Sequence, residues 1–343
     1  MPATIIVGGQ LGSEGKGKVT SLTAARAQHP WVVRCGGPNS GHGVWVNDRP
    51  IVLRQLPVAA PQQNARLAIA AGCAVDEDLL LSEIKELCVS RDRLIVDPRA
   101  VLLDRADRES EDFLTSYIGS TGSGTGTAMA RRLLRRGNAR LAADSARLAE
   151  VASIDYVAPH LHAAIDRGED VIVEGTQGFG LSLLHGPGYP YVTSRDTTAS
   201  AFASEAGISP RDIGDIVLVI RTFPIRVGGN SGELRNEVTW DYIRENSNAP
   251  EVEYEFTSVT NRLRRVGLFD IEMVRNACRY NKPTKLAVMG IDRIDYENRG
   301  VRDGDKLTAS AASFLGRLRI ELGVPIEWVG TGFATTEAVC LQR

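Results

Sequence analysis

The sequence predicts an α/β fold, a single large domain with a mostly parallel central sheet, on three observations. Short apolar runs recur along 343 residues and read as buried strands: Ile5–Val7, Trp31–Cys35, Leu67–Ile69, Val171–Val173, Ile216–Phe223, Lys285–Met289 and Ile326–Val329. Between them lie stretches with apolar residues at helical spacing. Several of the strands run out into glycine-rich segments, the arrangement of a parallel sheet whose ligand-binding loops gather at the strands' carboxyl ends.

The first strand leads into Gly8-Gly9-Gln10-Leu11-Gly12-Ser13-Glu14-Gly15-Lys16-Gly17-Lys18, and Val19 to Arg26 reads as a helix. Strand, glycine loop and helix N-terminus make an anion cradle, because unpaired amides and the positive end of the helix dipole face one point. Lys16 and Lys18 are expected to supply mobile positive charge to this P-loop-like phosphate cradle. A strict P-loop needs glycine where Gln10 stands and Ser or Thr where Gly17 stands, so an ordinary turn with exposed lysines stays open beside the phosphate reading.

The second strand ends in Gly36-Gly37-Pro38-Asn39-Ser40-Gly41-His42-Gly43, a loop whose backbone can approach a ligand closely. His42 sits among glycines and not on an apolar face, which leaves a functional histidine and an exposed turn histidine. Val44–Val46 and Ile51–Arg54, joined through Asn47-Asp48, predict a hairpin. Glu77–Cys88 is helical by the spacing of Leu80, Leu81, Ile84 and Leu87. Ile118 to Thr127 alternates glycine with hydroxyl residues, which suits a phosphate loop or a flexible linker. Arg131, Arg132, Arg135 and Arg136 follow, either a solvated face or a phosphate site.

One long helical stretch is expected over Ala142–Arg167. At the end of the Val171 strand, Glu174-Gly175-Thr176-Gln177-Gly178 offers a glutamine amide for a base edge or for the loop's own backbone. Gly186 to Ser194 is too rich in turn residues for regular structure, and Thr193 contributes a hydroxyl. Arg262 and Arg264, at i and i+2, are expected on one side of an extended loop, able to fork onto a carboxylate. Asp270–Asn281 and Ala309–Gly323 are helical, and Gly330-Thr331-Gly332 closes the last strand. A small accessory region is expected near residues 228–268 of the single domain, 1–343.

Forty Lys and Arg against 42 Asp and Glu give a net charge of −2, which leaves no general footprint for a nucleic acid polymer. Five scattered cysteines form no C-x-x-C pair, so neither a zinc site nor a disulfide framework is indicated and a reducing cytoplasm is expected. No apolar run is long enough for a bilayer, and no signal segment opens the chain, so no membrane partner is expected.

Taken in order, Gly12 to Lys18, Gly37 to His42, Glu174 to Gly178, Tyr189 to Ser194, Thr260 to Arg265 and Gly330 to Gly332 resemble the adenylosuccinate synthetases, over nearly the whole chain. That family joins aspartate to the 6-position of a purine nucleotide by phosphorylating the 6-oxo group and displacing phosphate with the aspartate amine. The resemblance implies a ligase whose partners are a purine nucleoside monophosphate, L-aspartate and a nucleoside triphosphate, with Mg2+ as cofactor. It makes His42 the general acid and Lys16 the charge on the transferred phosphoryl group. Asn39, Thr121, Gln177 and Thr193 then contact the substrate nucleotide, and Arg135 reaches its phosphate from a neighbouring subunit, implying a homodimer. Thr260, Asn261, Arg262 and Arg264 form the aspartate site. The donor nucleotide falls to Gly12, Glu14, Gly15, Lys16, Gly17, Lys18, Gly41, His42, Gly43, Arg264, Asp292, Thr331 and Gly332.

Two departures stand out. The family has an aspartate, its base and a metal ligand, where this chain has Ser13, so the catalytic, substrate and metal roles there fall to Ser13, with the Gly41 carbonyl as second metal ligand. The family's guanine-reading segment has a lysine where this chain has Gly290. Serine leaves room beside purine N1 for a 2-amino group, and loss of the lysine weakens dependence on GTP. With a chain shorter than the housekeeping enzymes, these features resemble the bacteriophage 2-aminoadenylosuccinate synthetase branch, which uses dGMP with ATP or dATP on the way to 2,6-diaminopurine and would work in the host cytoplasm. The alternatives are an adenylosuccinate synthetase using IMP and GTP, and a nucleotide-binding pseudoenzyme. Lys16, His42, Arg262 and Arg264 argue against the last, since a pure binder needs no aspartate site.

Overall fold

The computed structural model describes residues 2–46, 49–135, 137–257 and 261–341. Ten strands form the main sheet: β1 (Ala3–Gly8), β2 (Trp31–Arg34), β3 (Arg66–Ile69), β4 (Leu94–Val96), β5 (Ser153–Ile154), β6 (Val171–Glu174), β7 (Ile213–Arg221), β8 (Lys285–Met289), β9 (Ile326–Gly330) and β10 (Ala338–Cys340). Their order is β10-β9-β8-β7-β1-β6-β2-β3-β4-β5, and every pairing is parallel except β9 with β10. The opening strand lies at the centre because it is apolar on both faces: Ile5, Ile6 and Val7 are wholly buried. Helices supply Val19, Leu161, Phe202, Val274 and Leu318 to the same core, each contributing about 1.5–3 kcal/mol of burial.

Three of these apolar strands end on a buried charge: Arg34 closes β2, Glu174 closes β6 and Arg221 closes β7. Parallel pairing brings those ends to one edge of the sheet. A second, three-stranded sheet of Ile225–Arg226, Glu237–Val238 and Arg265–Gly267 packs with the helix Trp240–Ser247 around Ile225, Trp240, Ile243 and Val266.

Two helix expectations change. The first helix spans Lys16–Ala24 and begins before Val19, because Gly15, at φ 102°, takes up the left-handed turn into it without strain. Ala142–Arg167 is not one helix. A 3-10 turn, the helix Ala146–Val151, strand β5 and the helix Val157–Asp166 divide it. Ser145 caps the first of these helices through the Leu148 amide, and Ser153 and Ile154 pair with β4 instead of extending it, so tertiary pairing overrides the alanine-rich pattern.

The expected hairpin is present as His42–Val46 against Arg49–Leu53, while its Asn47-Asp48 turn lies outside the described residues. Its first strand crosses the start of the first helix so closely that a Cβ on Gly17 would meet the Gly43 carbonyl and His42 Cβ at 2.9 Å. A P-loop hydroxyl residue has no room there. Gly17→Ser, which restores the consensus letter, is expected to destabilise the protein by about 1–3 kcal/mol through overpacking, read as a lower urea midpoint.

Candidate active site

A cleft of about 1120 Å³ opens at the carboxyl ends of the central strands, and the loop from Leu11 to Lys18 lines it. Gln10, the other departure from the P-loop pattern, ties that loop to β7. Its side-chain amide donates to the Arg221 carbonyl at 3.0 Å and accepts from the Arg221 amide at 2.9 Å. Within the loop, the Glu14 carboxylate accepts from the Gln10 and Gly12 amides at 3.1 and 2.8 Å and pairs with Lys16 Nζ at 2.6 Å. Glycine is required around it, since a Cβ on Gly8 would stand 2.5 Å from a Glu14 oxygen and one on Gly178 closer still.

The two lysines are therefore not mobile, exposed charges. Lys16 is buried on Glu14, and Lys18 Nζ donates to the Gly332 and Glu337 carbonyls at 3.0 and 2.5 Å. Burial lowers the Lys18 pKa to about 8. Packing fixes both side chains, so their charges are preorganised at the cleft. Ser13, by contrast, is exposed in a left-handed conformation, φ 57°, with its carbonyl accepting from Arg221 at 3.3 Å.

His42 is buried, not an exposed turn residue. Its Nδ1 contacts the Glu174 carboxylate and lies 2.7 Å from an Arg34 nitrogen, while Arg34 pairs with Glu174 at 2.6 Å. Its Nε2 is buried and has no hydrogen-bond partner among the described residues. Burial, followed by the Arg34 charge, lowers the imidazole pKa to about 4 against the pull of Glu174. The ring is thus neutral at neutral pH and keeps one unused nitrogen beside the glycine loop.

Asn39, Thr121, Gln177 and Thr193 line the same cleft, with Asn39 Nδ2 3.5 Å from Thr193 Oγ1. Gly12, Gly15, Gly41, Gly43, Arg264, Asp292 and Gly332 line it too. Others do not. Arg135 is exposed at the C-cap of the helix Thr125–Leu134 and is absent from the lining. Arg131 and Arg132 turn to protein partners, Asp107 and the Ala71 carbonyl, and Arg136 lies outside the described residues. Thr331 donates its hydroxyl to the Val301 carbonyl at 2.7 Å.

Of the two arginines Arg262 and Arg264, only the second is in the cleft lining. A bridge between Phe256 and Leu263 makes a small hairpin in which Arg264 lines the cleft and contacts Glu255 at 3.3 Å. Asn261 and Arg262 are outside the lining, and Thr260 lies outside the described residues. Sequence reasoning missed Arg34, Arg221, Glu255, Arg293 and Arg299. For the first two a signal is available: a charge closing an otherwise apolar strand, as in Trp31-Val32-Val33-Arg34.

The adenylosuccinate synthetase family model matches residues 5–143 and 139–299. The adenylosuccinate synthetase of Methanocaldococcus jannaschii is 40% identical over 349 residues, covering 100% of this chain and 98% of that protein. The chain belongs to the adenylosuccinate synthetase family. It is accordingly a carbon–nitrogen ligase of the adenylosuccinate synthetase type, built on that family's α/β fold. A second archaeal adenylosuccinate synthetase, from Thermococcus sibiricus, is 40% identical over 97% of this chain and 96% of its own length. Among solved structures, fully ligated adenylosuccinate synthetase from Plasmodium falciparum superposes with a TM-score of 0.88 at 20% identity, covering 100% of both chains, a likeness of fold. The succinoaminodeoxyadenylate synthetase of cyanophage S-2L, bound to dGMP and dATP as an energy donor, gives 0.78 at 25% identity over 99% of this chain and 95% of its own. Reduced length does not mark a phage branch, because the archaeal adenylosuccinate synthetases are covered almost end to end.

The histidine gives a pH test. Its pKa falls from an ordinary 6.5 unfolded to about 4 folded, so the unfolded chain binds more protons between those values and stability is lost as pH falls through that window. Urea unfolding across it is expected to show a smaller loss for His42→Gln than for the native protein.

Proposed function

We propose that this ligase joins L-aspartate to the 6-position of a 2-amino purine monophosphate, dGMP, with ATP or dATP as phosphoryl donor. The observation that carries the reading is Ser13: a small neutral side chain open to the cleft where the family has an aspartate. A charged side chain packed against purine N1 crowds an exocyclic 2-amino group, whereas serine clears that volume and its hydroxyl can accept from the amine. The cyanophage protein bound to dGMP and dATP supports this reading at 25% identity. A second reading, IMP with GTP, draws the stronger support from sequence similarity, since the 40%-identical relatives are adenylosuccinate synthetases.

In either case the substrate nucleotide would lie along Asn39, Thr121, Gln177 and Thr193, and the donor phosphates on the loop amides with Lys16. Lys16 and the amides stabilise charge on the transferred phosphoryl group without reorganising, because Glu14 already holds them in place. His42 Nε2 hydrogen-bonds that group, and the added negative charge raises the imidazole pKa toward the working range of a general acid. Arg264, released from Glu255, would take an aspartate carboxylate together with Thr260 and Arg262. Among the described residues no group of three or more His, Cys, Asp or Glu could hold a metal. The Ser13 hydroxyl and the Gly41 carbonyl are hard, neutral oxygens that fit Mg2+ only as a few ligands to an ion carried in with the triphosphate. When bound, that ion would neutralise phosphate charge.

The test of the acceptor is Ser13→Asp, with kcat/KM measured for dGMP and IMP. Aspartate tolerates the left-handed backbone at residue 13, so the variant isolates the side chain. Loss on dGMP of roughly tenfold to hundredfold is expected, because the larger charged side chain crowds the 2-amino group, an overpacking cost of about 1–3 kcal/mol; unchanged use of dGMP would sink the reading.

Arg135, exposed and outside its own cleft, is proposed to reach the substrate phosphate of a second subunit. Mixing inactive Arg135→Ala with inactive His42→Ala chains is then expected to restore activity, because a hybrid dimer assembles one intact site. Demonstrated subunit exchange without recovery would count against it.

A further inference from the structure

Past the end of β8, Gly290 turns the chain at φ 77° and sets Asp292 against the cleft. Asp292 is almost fully buried, and its Oδ2 accepts from Arg299 at 2.6 Å. Its Oδ1 has no hydrogen-bond partner among the described residues. Arg299 is itself pinned. Its two terminal nitrogens lie 3.1 Å from the two oxygens of Glu253, and its guanidinium sits 4.8 Å from the centre of the Phe333 ring. Glu253 is held from the other side by Arg293 at 3.0 Å. Burial opposes the Arg299 charge, but Asp292 and then Glu253 outweigh it and raise its pKa.

We propose that Arg299, pinned by Glu253, sets the base preference of the donor nucleotide by engaging one of the two Asp292 carboxylate oxygens and leaving Oδ1 as the unpaired oxygen for the 6-amino group of adenine. The inference rests on the reading that the donor purine lies against residues 289–292. Guanine presents two adjacent donors, N1–H and the 2-amino group, and a free carboxylate accepts both with its two oxygens. With Oδ2 already accepting from Arg299, the second guanine donor has to compete with that N–H for the same oxygen. Adenine offers that edge a single donor, its 6-amino group, which Asp292 Oδ1 accepts without disturbing the Arg299 contact. Asp292 alone reads as a guanine ligand; Asp292 with Arg299 does not.

The experiment is calorimetric titration of the full-length protein, with Mg2+ present, using the non-hydrolysable analogues AMPPNP and GMPPNP. The native protein is expected to bind AMPPNP more tightly by about tenfold or more, the value of one hydrogen bond to a charged group. Arg299→Met frees the second oxygen and is expected to shift the ratio of the two affinities toward GMPPNP by a similar factor. Glu253→Gln loosens the pin and is expected to shift it the same way by less, and it decides the matter alone where Arg299→Met does not fold. A purely structural role for Arg299 lowers both affinities together and leaves their ratio unchanged, which would overturn the inference, as would a native preference for GMPPNP. Failure of the native protein to bind either analogue would instead overturn the donor-site reading, and the inference with it.

Discussion

Arg34 and Glu174 face one another in register at the ends of two adjacent parallel strands, both nearly closed to solvent, with 2.6 Å between nitrogen and oxygen. Desolvating two charges is costly, and the pair persists because most of its remaining valences are filled. Arg34 donates to the Ser40 carbonyl, Glu174 accepts the Val58 amide at 2.8 Å, and both meet His42. One ion pair therefore fixes the loop after β2, the hairpin that carries His42 and the turn near Val58. Loss of either charge leaves the other buried and unpaired, a penalty of about 3–5 kcal/mol. The imidazole is oriented by the same contacts that keep the sheet edge closed.

A second buried cluster does for the accessory region what this pair does for the hairpin. Arg221 closes β7, pairs with Glu255 through both of its terminal nitrogens at 3.0 and 2.5 Å, and reaches the Ser13 carbonyl. Burial raises the carboxyl pKa of Glu255, but Arg221, Arg264 and Arg293 more than offset it and hold it at about 2. A carboxylate surrounded by three guanidinium groups leaves net positive charge at that end of the cleft. The glycine loop, the small sheet and the segment around Arg264 are thus mechanically and electrostatically continuous.

The glycines illustrate how such a site constrains its sequence. Gly8, Gly17 and Gly178 are needed for clearance, not for turning: two make room for the Glu14 carboxylate and one for the crossing hairpin. Gly15 and Gly290 are used differently, each taking a left-handed conformation where a strand hands over to a helical turn. A glycine loop that encloses its own carboxylate and lies beneath a hairpin cannot keep the P-loop consensus, and Gln10 and Gly17 record that.

The alternation of apolar runs and glycine loops determined the α/β class, the parallel sheet and most strand positions, because a strand buried on both faces must be apolar throughout whatever it packs against. The ordered motifs likewise marked Lys16, His42, Asn39, Gln177 and Thr193, all of which line one cleft. Only the tertiary structure decided which charges are free. Lys16 and Lys18 read as mobile and are fixed, His42 read as functional or exposed and is buried against Glu174, and of Arg262 and Arg264 only the second lines the cleft. Several of the partners responsible lie far away in the chain: Glu174 is 132 residues from His42, and Gly332 is 314 from Lys18. Local pattern reports what a segment must bury, whereas the state of a charge depends on what long-range packing sets beside it.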